Sequence, residues 1–421
     1  MAKVARLPVS GGRRALSGKK PLLKEMFVRG LTAVALRYRR LLGRVCVIGI
    51  TGSAGKTTAK DVLNVILSTR LRGKANRFTY NRLTHILRRL LTTKPSDDFL
   101  IQEISVECPG GIDLPLRLLQ PKIGLVTCIG FDHYTSFRGM ENTAAEKAKL
   151  VRSLPPDGCA ILNADDPLVL AMREGVTARV MTYGQSSDAD LRAEEVSAAW
   201  PDRLSFTACH GSDRARVETQ LLGAHWLPSI LGAVAAGRAL DFSLEEMAAA
   251  VRGVAPAAGR MSPAILPDGV TFIRDDWKAP LWSVTTVLDF LRQARADRKI
   301  VVFGTFSDFP GDRARKYQKA AREALQVADH VVFVGHQAHM VEKVIKEVGP
   351  DRLRAFSGLR EVHEHLQSML RSGDLVLLKG SNAADHLVRL VIARETPIAC
   401  WRARCSRNFF CQRCPLLNKP E

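Results

Sequence analysis

Residues 45–58 read V-C-V-I-G-I-T-G-S-A-G-K-T-T, an apolar run that leads directly into a glycine-rich loop. In such a loop, consecutive backbone N–H groups converge on phosphate oxygens, which requires small or absent side chains at residues 52–55. The lysine that follows meets the β- and γ-phosphates, and the next hydroxyl reaches a magnesium ion. A helical apolar pattern continues through residues 62–67, the context that this loop requires. We therefore predict a strand, phosphate loop and helix that bind ATP through Gly52, Ser53, Ala54, Gly55, Lys56, Thr57 and Thr58.

Positive charge is concentrated at the two ends of the chain. The formal net charge is +20, of which residues 1–44 carry +11 and residues 396–421 carry +4. A nearly neutral body argues against a nucleic-acid groove through the core, whereas basic ends suit a protein partner or an anionic surface. No apolar run approaches the ~18 residues of a membrane span, and the start lacks the apolar centre of a secretory signal. We expect a cytoplasmic protein without a transmembrane segment.

Strand-like and helical segments alternate, which predicts the α/β fold class. Apolar runs at 99–104, 123–127 and 159–162 are separated by helical stretches, as in a parallel sheet covered by helices. A break at P-A-A-G-R, residues 256–260, precedes a second alternating region with strands predicted at 270–273, 299–303, 330–334, 354–356 and 375–378. The predicted parts are a basic disordered tail (1–24), a P-loop central domain with a parallel sheet (25–258), a second, Rossmann-like α/β domain (259–395) and a Cys-rich basic tail (396–421).

Apolar residues recur at helical spacing between residues 22 and 42, which predicts an amphipathic helix there. Such a helix either packs on the domain or lies on a membrane surface. The segment leads directly into the phosphate-loop strand, and the arginines near its end suit the helix dipole. We prefer the packing interpretation.

Six motifs follow one another between residues 49 and 381. They are G-I-T-G-S-A-G-K-T-T at 49–58, E-I-S-V-E-C-P-G at 103–110, V-T-C-I-G-F-D-H at 126–133, L-P-P-D-G-C-A-I-L-N-A-D-D-P at 154–167, A-G-R at 258–260 and L-L-K-G-S at 377–381. Together they resemble the Mur ligase family, specifically its MurF type, over roughly residues 25–395. The resemblance implies amide ligation in which a carboxylate takes the γ-phosphoryl group of ATP, an amine attacks the acyl phosphate, and phosphate leaves.

The resemblance also implies roles for individual residues. Lys56 would hold the β- and γ-phosphates, and Thr57 the first magnesium ion. Glu103 matches the acidic magnesium ligand, and His133 matches the histidine that helps hold a second magnesium ion. Lys147 falls where the family carries a carbamylated lysine, whose carbamate oxygens suit magnesium. Lys56, His133 and Lys147 are the expected catalytic residues.

Further roles follow from motifs later in the chain. Arg260 matches the arginine at the interdomain hinge, and Asp275 matches the aspartate expected near the ribose of the nucleotide. In contrast, the composition of Asn163, Asp165 and Asp166 is typical of a capped turn, and we do not expect these three to be catalytic.

Three segments depart from the MurF pattern. A UDP-sugar-binding domain has no counterpart ahead of the phosphate loop, so uridine-nucleotide recognition is not expected. The H-N-x-x-N segment reads H-W-L-P-S at 225–229, which offers Trp226 as a stacking partner for adenine or weakens adenine selectivity. The Y-N-A-N-P segment, near the incoming dipeptide in the peptidoglycan enzymes, reads W-K-A-P-L at 277–281. This change predicts a different amine substrate, with Lys278 adding a positive charge.

Four cysteines in the tail, outside the resemblance, form the spacing C-x4-C-x5-C-x2-C. Thiolates at this spacing suit zinc or an iron–sulfur cluster, and the interleaved arginines would favour deprotonation of the thiols. With only one C-x2-C pair, free or oxidisable thiols are the alternative. The predicted ligands are Cys400, Cys405, Cys411 and Cys414.

The leading hypothesis is an ATP- and Mg²⁺-dependent ligase that joins an amine to a small-molecule or peptide carboxylate other than the usual UDP-muramoyl peptide. Amidation is a related hypothesis, with ammonia from a separate glutaminase subunit. A third hypothesis is a nucleotide-binding partner or regulatory protein that keeps the phosphate loop without turnover. Substrate-dependent phosphate release distinguishes the first two from the third.

Overall fold

The computed structural model describes residues 20–76, 82–130, 134–403, 405, 407 and 410–419. Within them the chain forms two sheets, each dominated by parallel strands, with helices between successive strands. This architecture confirms the predicted α/β fold class. His133, one of the predicted magnesium ligands, lies outside the described residues.

The first sheet carries the phosphate loop. Its nine strands are β1 (Cys46–Thr51), β2 (Gly73–Ala75), β3 (Phe99–Glu103), β4 (Ile123–Val126), β5 (Cys159–Asn163), β6 (Arg179–Gly184), β7 (Leu191–Ser197), β8 (Ser205–His210) and β9 (Asp213–Glu218). Their spatial order is β2-β3-β1-β4-β5-β6-β7-β8-β9, parallel as far as β7 and antiparallel from there. Because β1 lies between β3 and β4, the carboxyl ends of these three strands meet at one edge.

The second sheet contains the five predicted strands and, ahead of them in the chain, one that the sequence did not predict. Its six strands are β10 (Ser262–Ile265), β11 (Thr271–Asp275), β12 (Arg298–Phe303), β13 (His330–Val334), β14 (Leu353–Phe356) and β15 (Asp374–Lys379). The order is β10-β11-β15-β12-β13-β14, and only β10, at the edge, runs antiparallel to its neighbour. Strands β13 and β15 are buried along their whole length, as expected for parallel strands covered on both faces.

Fourteen α-helices connect these strands in the described residues. They are α1 (Lys20–Leu41), α2 (Lys56–Leu67), α3 (Leu83–Thr92), α4 (Asp113–Leu119), α5 (Tyr134–Phe137), α6 (Met140–Arg152), α7 (Pro167–Leu170), α8 (Leu227–Arg238), α9 (Leu244–Val251), α10 (Val284–Gln293), α11 (Arg313–Leu325), α12 (Glu342–Val348), α13 (Leu359–Met369) and α14 (Val388–Glu395). None of these helices is long and apolar enough to cross a membrane.

Helix α1 packs by one face on α3 and α4. At its carboxyl end, the Tyr38 hydroxyl donates to the Thr93 carbonyl at 2.8 Å, and the Arg39 guanidinium donates to the carbonyls of Leu119 and Gln120 at 2.7 and 3.1 Å. These contacts confirm that the helix packs on the domain through this face. The helix begins at Lys20, ahead of the predicted boundary at residue 25, and residues 1–19 lie outside the described part.

The two sheets belong to one packed body. A single apolar cluster includes Ile50 below the phosphate loop, Trp226 at the start of α8, and Leu288 and Phe303 of the second unit. The Arg295 backbone N–H also donates to the Trp200 carbonyl across the junction at 3.0 Å. Burial of apolar surface between the units therefore holds them together.

Two histidines face each other in the second unit. The Nε2 atoms of His330 on β13 and His365 on α13 lie 2.9 Å apart, and His330 Nδ1 lies 2.8 Å from the Asp351 carbonyl. If His330 donates from Nδ1 to that carbonyl, its Nε2 accepts from the Nε2–H of His365. Burial, reinforced by His330, lowers the pKa of His365 to about 4, and burial also lowers the pKa of His330.

We expect the pair to make stability depend on pH. A histidine whose pKa is lowered in the folded protein binds its proton more tightly when unfolded, so stability is full above pH ~6.5 and is lost as the pH falls towards ~4. After allowance for solvent screening, His365 accounts for a loss of about 1 kcal/mol at pH ~5. Urea unfolding of the wild type and of His365→Phe as a function of pH measures this loss of stability. Replacement of the exposed His336 by Phe is the control, and an equal pH dependence in the wild type and His365→Phe would contradict the prediction.

Candidate active site

The phosphate loop joins the end of β1 to the start of α2 and depends on two glycines. Gly52 and Gly55 have φ angles of 144° and 76°, which favour glycine. A Cβ atom at Gly52 would collide with the Thr127 hydroxyl, and one at Gly55 with the Ser229 hydroxyl. Both conformation and space therefore require glycine at these positions.

Lys56 lies across the loop. Its ammonium donates to the Gly52 carbonyl at 2.6 Å and to the Ser53 carbonyl at 3.4 Å. The loop is fixed from below, because the Thr127 hydroxyl donates to the Ala54 carbonyl at 2.5 Å. A partly exposed ammonium beside backbone N–H groups at a helix N-terminus is a chemically suitable site for phosphate.

Thr57, in the first turn of α2, contacts Glu103 at the end of β3. The Thr57 hydroxyl donates to Glu103 Oε2 at 2.9 Å, and both side chains are buried. The Glu103 backbone N–H in turn donates to the Asn76 side-chain oxygen at 2.8 Å, which fixes the end of β3. A hydroxyl and a carboxylate beside a phosphate loop are hard oxygen donors, so these residues fit magnesium.

Lys147 lies on α6, which packs against β1 and β4. Its side chain is 0% exposed. A fully buried lysine is rare, because removing an ammonium from water is costly unless the charge is paired or neutralised. Burial on this scale is consistent with a modified or strongly paired amine.

Asp275 of the second unit is paired with a lysine. Lys379 Nζ lies 2.6 Å from Asp275 Oδ2, and the same ammonium donates to the Lys278 carbonyl at 3.3 Å. Lys379 is 2% exposed, so this pair is shielded from water. The adjacent ends of β11 and β15 bring the two side chains together.

Arg260 and His225 connect the two units. Burial lowers the pKa of the Arg260 guanidinium, and the nearby carboxylates of Glu103 and Asp275 act in the opposite direction. Burial also lowers the pKa of His225 to about 4, with Asp275 opposing the shift and Lys379 adding to it. His225 is thus neutral at pH 7 and lies close to the acidic and basic pair of the other unit.

Two family models match the chain in succession, the Mur ligase middle domain over residues 50–237 and the Mur ligase, glutamate ligase domain over residues 259–382. The chain belongs to the Mur ligase family. It is 30% identical to the UDP-N-acetylmuramoyl-tripeptide–D-alanyl-D-alanine ligase of Mycobacterium bovis, over 84% of this chain and 73% of that protein. The resemblance to MurF-type Mur ligases is confirmed, and the chain is an ATP-dependent carbon–nitrogen ligase.

Solved MurF structures share the fold. MurF from Acinetobacter baumannii gives a TM-score of 0.77 at 23% identity, over 87% of this chain and 80% of that chain. MurF from Thermotoga maritima, in complex with ADP, gives a TM-score of 0.72 at 18% identity, over 93% of this chain and 86% of that chain. Both structural alignments include the two units of this chain.

Several residues at the Mur ligase site are not among the predicted ones. Lys379, the partner of Asp275, belongs to the L-L-K-G-S motif, so a sequence signal for it was present. Ser229, which packs against Gly55, lies in the altered segment after His225. Trp282 of the second unit lies next to Gly130, because a Cβ at Gly130 would be 3.9 Å from its ring. No spacing in the sequence indicates that last contact.

The turn at Asn163, Asp165 and Asp166 is structural, as predicted. Asp166 caps α7, accepting from the Leu168 N–H at 3.0 Å, and its other oxygen accepts from the Ile129 N–H at 2.7 Å. Asn163 donates to the Thr127 carbonyl at 2.9 Å. These bonds confirm the capped turn and tie it to the loop that follows β4.

Trp226 does not present its ring for base stacking. It is 9% exposed and belongs to the main apolar cluster. The structure therefore favours core packing for Trp226, and the residue of the altered segment nearest the second unit is His225.

The cysteine tail docks on the second unit through Cys411 and Phe410. Cys411 Sγ lies 3.5 Å from Nδ1 of the buried His386, and the Phe410 ring lies 5.1 Å from that of Trp277. Burial raises the pKa of the Cys411 thiol to about 11 against the opposing effect of Arg389.

The predicted tail metal site gains no support from this arrangement. All four tail cysteines are described, and their thiols are free. Across the described part of the chain, no three His, Cys, Asp or Glu side chains are placed to hold a metal ion. Zinc or iron–sulfur binding by the tail remains a prediction from spacing alone.

Proposed function

We propose that this Mur ligase activates a carboxylate as an acyl phosphate, with ATP and Mg²⁺, and joins it to an amine. The observation that carries the proposal is the Thr57–Glu103 contact of 2.9 Å at the end of the phosphate loop. The Glu103 carboxylate also acts electrostatically on the Arg260 guanidinium of the second unit, and the Lys56 ammonium lies on the loop, so oxygen donors and cations act at one end of the loop. Charge stabilisation at that point is what phosphoryl transfer to a carboxylate requires.

Each residue has a definable task in this proposal. The Lys56 ammonium offsets charge on the β- and γ-phosphates, and backbone N–H groups of the loop orient them. Mg²⁺, held by Thr57 and Glu103, would offset further phosphate charge. In this proposal, Arg260 would hold the carboxylate of the acid or the transferred phosphoryl group. His225, neutral at pH 7, and Asp275 would lie on the ribose and base side of the nucleotide.

The amine side of the site is proposed to lie on the second unit near Trp282. A cavity of about 280 Å³ there is lined by Trp282, Phe309, Asp308, Lys316 and Glu323, among others. The carboxylates of Asp308 and Glu323 suit an ammonium group, and the aromatic rings suit an apolar body. The altered W-K-A-P-L segment, in which Lys278 is exposed, supports an amine substrate other than the one named for the M. bovis relative.

A screen of carboxylate and amine pools for substrate-dependent phosphate release tests the ligase proposal. Release that requires both an acid and an amine supports it, and release with acid and ammonia alone selects the amidation form. Tight ATP binding without release in any pool would overturn it in favour of a nucleotide-binding regulatory protein.

Glu103→Gln tests the magnesium assignment without knowledge of the substrates. The variant keeps the shape of the side chain and loses its charge, so we expect Mg²⁺-dependent ATP affinity to fall about ten- to a hundredfold. Fluorescent-nucleotide titration with and without Mg²⁺ measures the change. Glu107→Gln, an exposed glutamate in the same loop, is the control. Equal loss of affinity with and without Mg²⁺ would assign Glu103 to loop structure instead.

A further inference from the structure

The outer face of helix α1 exposes large apolar side chains. Four of the seven exposed large apolar residues in the described chain lie on it, with exposures of 62% for Met26, 70% for Phe27, 54% for Val34 and 66% for Leu41. Phe27, Val34 and Leu41 are spaced by seven residues, so they form one stripe along the helix. The opposite face packs on α3 and α4, so the fold itself does not require this stripe.

Positive charge lies directly beside the stripe. Arg37 and Arg40 are exposed, and helical spacing places them next to the stripe. Arg44, also exposed, follows just after the helix ends. Residues 20–44 contain seven Lys/Arg and a single acid, Glu25. The neighbouring helix α3 contains arginine and no acidic residue. The surface that borders the apolar stripe therefore carries positive charge.

We propose that this face of α1 binds an anionic phospholipid surface. A helix with an apolar stripe and a basic band lies in the membrane interface, where the stripe enters the headgroup boundary and the basic residues meet lipid phosphates. Nucleic acid matches the charge but not a stripe of exposed Phe, Val and Leu. The proposal is independent of the ligase chemistry.

The helix is attached rigidly enough to serve as a docking element without unfolding. The bonds from Tyr38 to Thr93 and from Arg39 to Leu119 and Gln120 tie its carboxyl end to the segments that precede β3 and β4. Those segments lie at the amino ends of the parallel strands, whereas the phosphate loop lies at the carboxyl ends. Docking through α1 therefore leaves the nucleotide site open.

Vesicle flotation of the full chain tests the proposal. We expect binding to vesicles of phosphatidylcholine mixed with phosphatidylglycerol, weakened by salt, and no binding to pure phosphatidylcholine. Leu41→Ser should weaken binding at least about tenfold. The matched control is Ile265→Ser, because Ile265 is also 66% exposed but lies on β10. Arg37→Gln with Arg40→Gln should weaken binding similarly, and the exposed Arg315→Gln should not.

Other results would overturn the proposal. They are no binding to either vesicle, equal binding to both, or equal effects of Leu41→Ser and Ile265→Ser. A dimer in sedimentation velocity that Leu41→Ser abolishes, without vesicle binding, would assign the face to a second copy. Because the substituted side chains are exposed, unchanged thermal unfolding is the check that each variant is folded.

Discussion

Lys56→Ala is expected to lower substrate-dependent phosphate release about a thousandfold, because a preorganised charge at the reacting phosphates is lost. The ammonium lies 2.6 Å from the Gly52 carbonyl, directly above the loop that cradles the phosphates. The side chain is partly exposed and contributes nothing to the apolar core, so thermal unfolding should be unchanged. Phosphate release with the acid and amine pair found in the screen measures the effect.

Lys122→Ala is the control for this variant. Lys122 is half exposed and pairs with Asp157 on the surface, so its removal changes the net charge equally without touching the nucleotide. Full activity in Lys122→Ala and none in Lys56→Ala supports the assignment. Equal phosphate release by Lys56→Ala and the wild type would exclude the phosphate loop as the site of turnover.

The nucleotide half of the site could be predicted from the sequence because its geometry is local. A phosphate loop fixes its own backbone through two glycines, and Glu103 follows a strand next to β1. Since parallel strands end at one edge, Glu103 had to lie near Thr57 once both strands were assigned. The hydrophobic runs predicted the first and last residues of those strands to within one or two positions.

The interdomain contacts could not be predicted in this way. The position of His225 near the Asp275–Lys379 pair and the approach of Trp282 to Gly130 depend on how the two sheets pack against each other. Such packing depends on apolar surface that many residues bury together, so no short sequence motif indicates it. The family motifs supplied Asp275 and Arg260 but not the residues that position them.

The tail shows a second limit of sequence reasoning. Cysteine spacing predicts what four thiols can do, but the ionisation of each thiol depends on its surroundings. Around Cys411, burial outweighs the opposing effect of Arg389, which is distant in the chain. Phe410, which the spacing argument ignored, makes the aromatic contact with Trp277 and lies close to the hinge glycine Gly259.

Lys147→Ala is expected to lower ligation about a hundredfold, with partial recovery when a short carboxylate such as acetate or formate is added. The reason is the carbamate that the family resemblance implies at Lys147. In that modification the amine would take up CO₂ and release a proton, which would give an anionic oxygen donor suited to magnesium in place of an ammonium. A side chain that is 0% exposed favours this modification, because an ammonium in that position must otherwise be offset. Initial rates with increasing carboxylate concentration measure the recovery.

Recovery by carboxylate separates the chemical role from a packing role. Filling the space left by Lys147 requires volume, so Lys147→Gln would be more active than Lys147→Ala if packing were the cause, and carboxylate would help neither. Lys149→Ala is the matched control, since Lys149 lies one half-turn further along α6, is 40% exposed and pairs with Asp113 and Glu146. If Lys147→Ala unfolds like the wild type, loses activity and does not respond to carboxylate, the amine itself is the functional group. The magnesium shell would then consist of Thr57, Glu103 and residues still to be assigned.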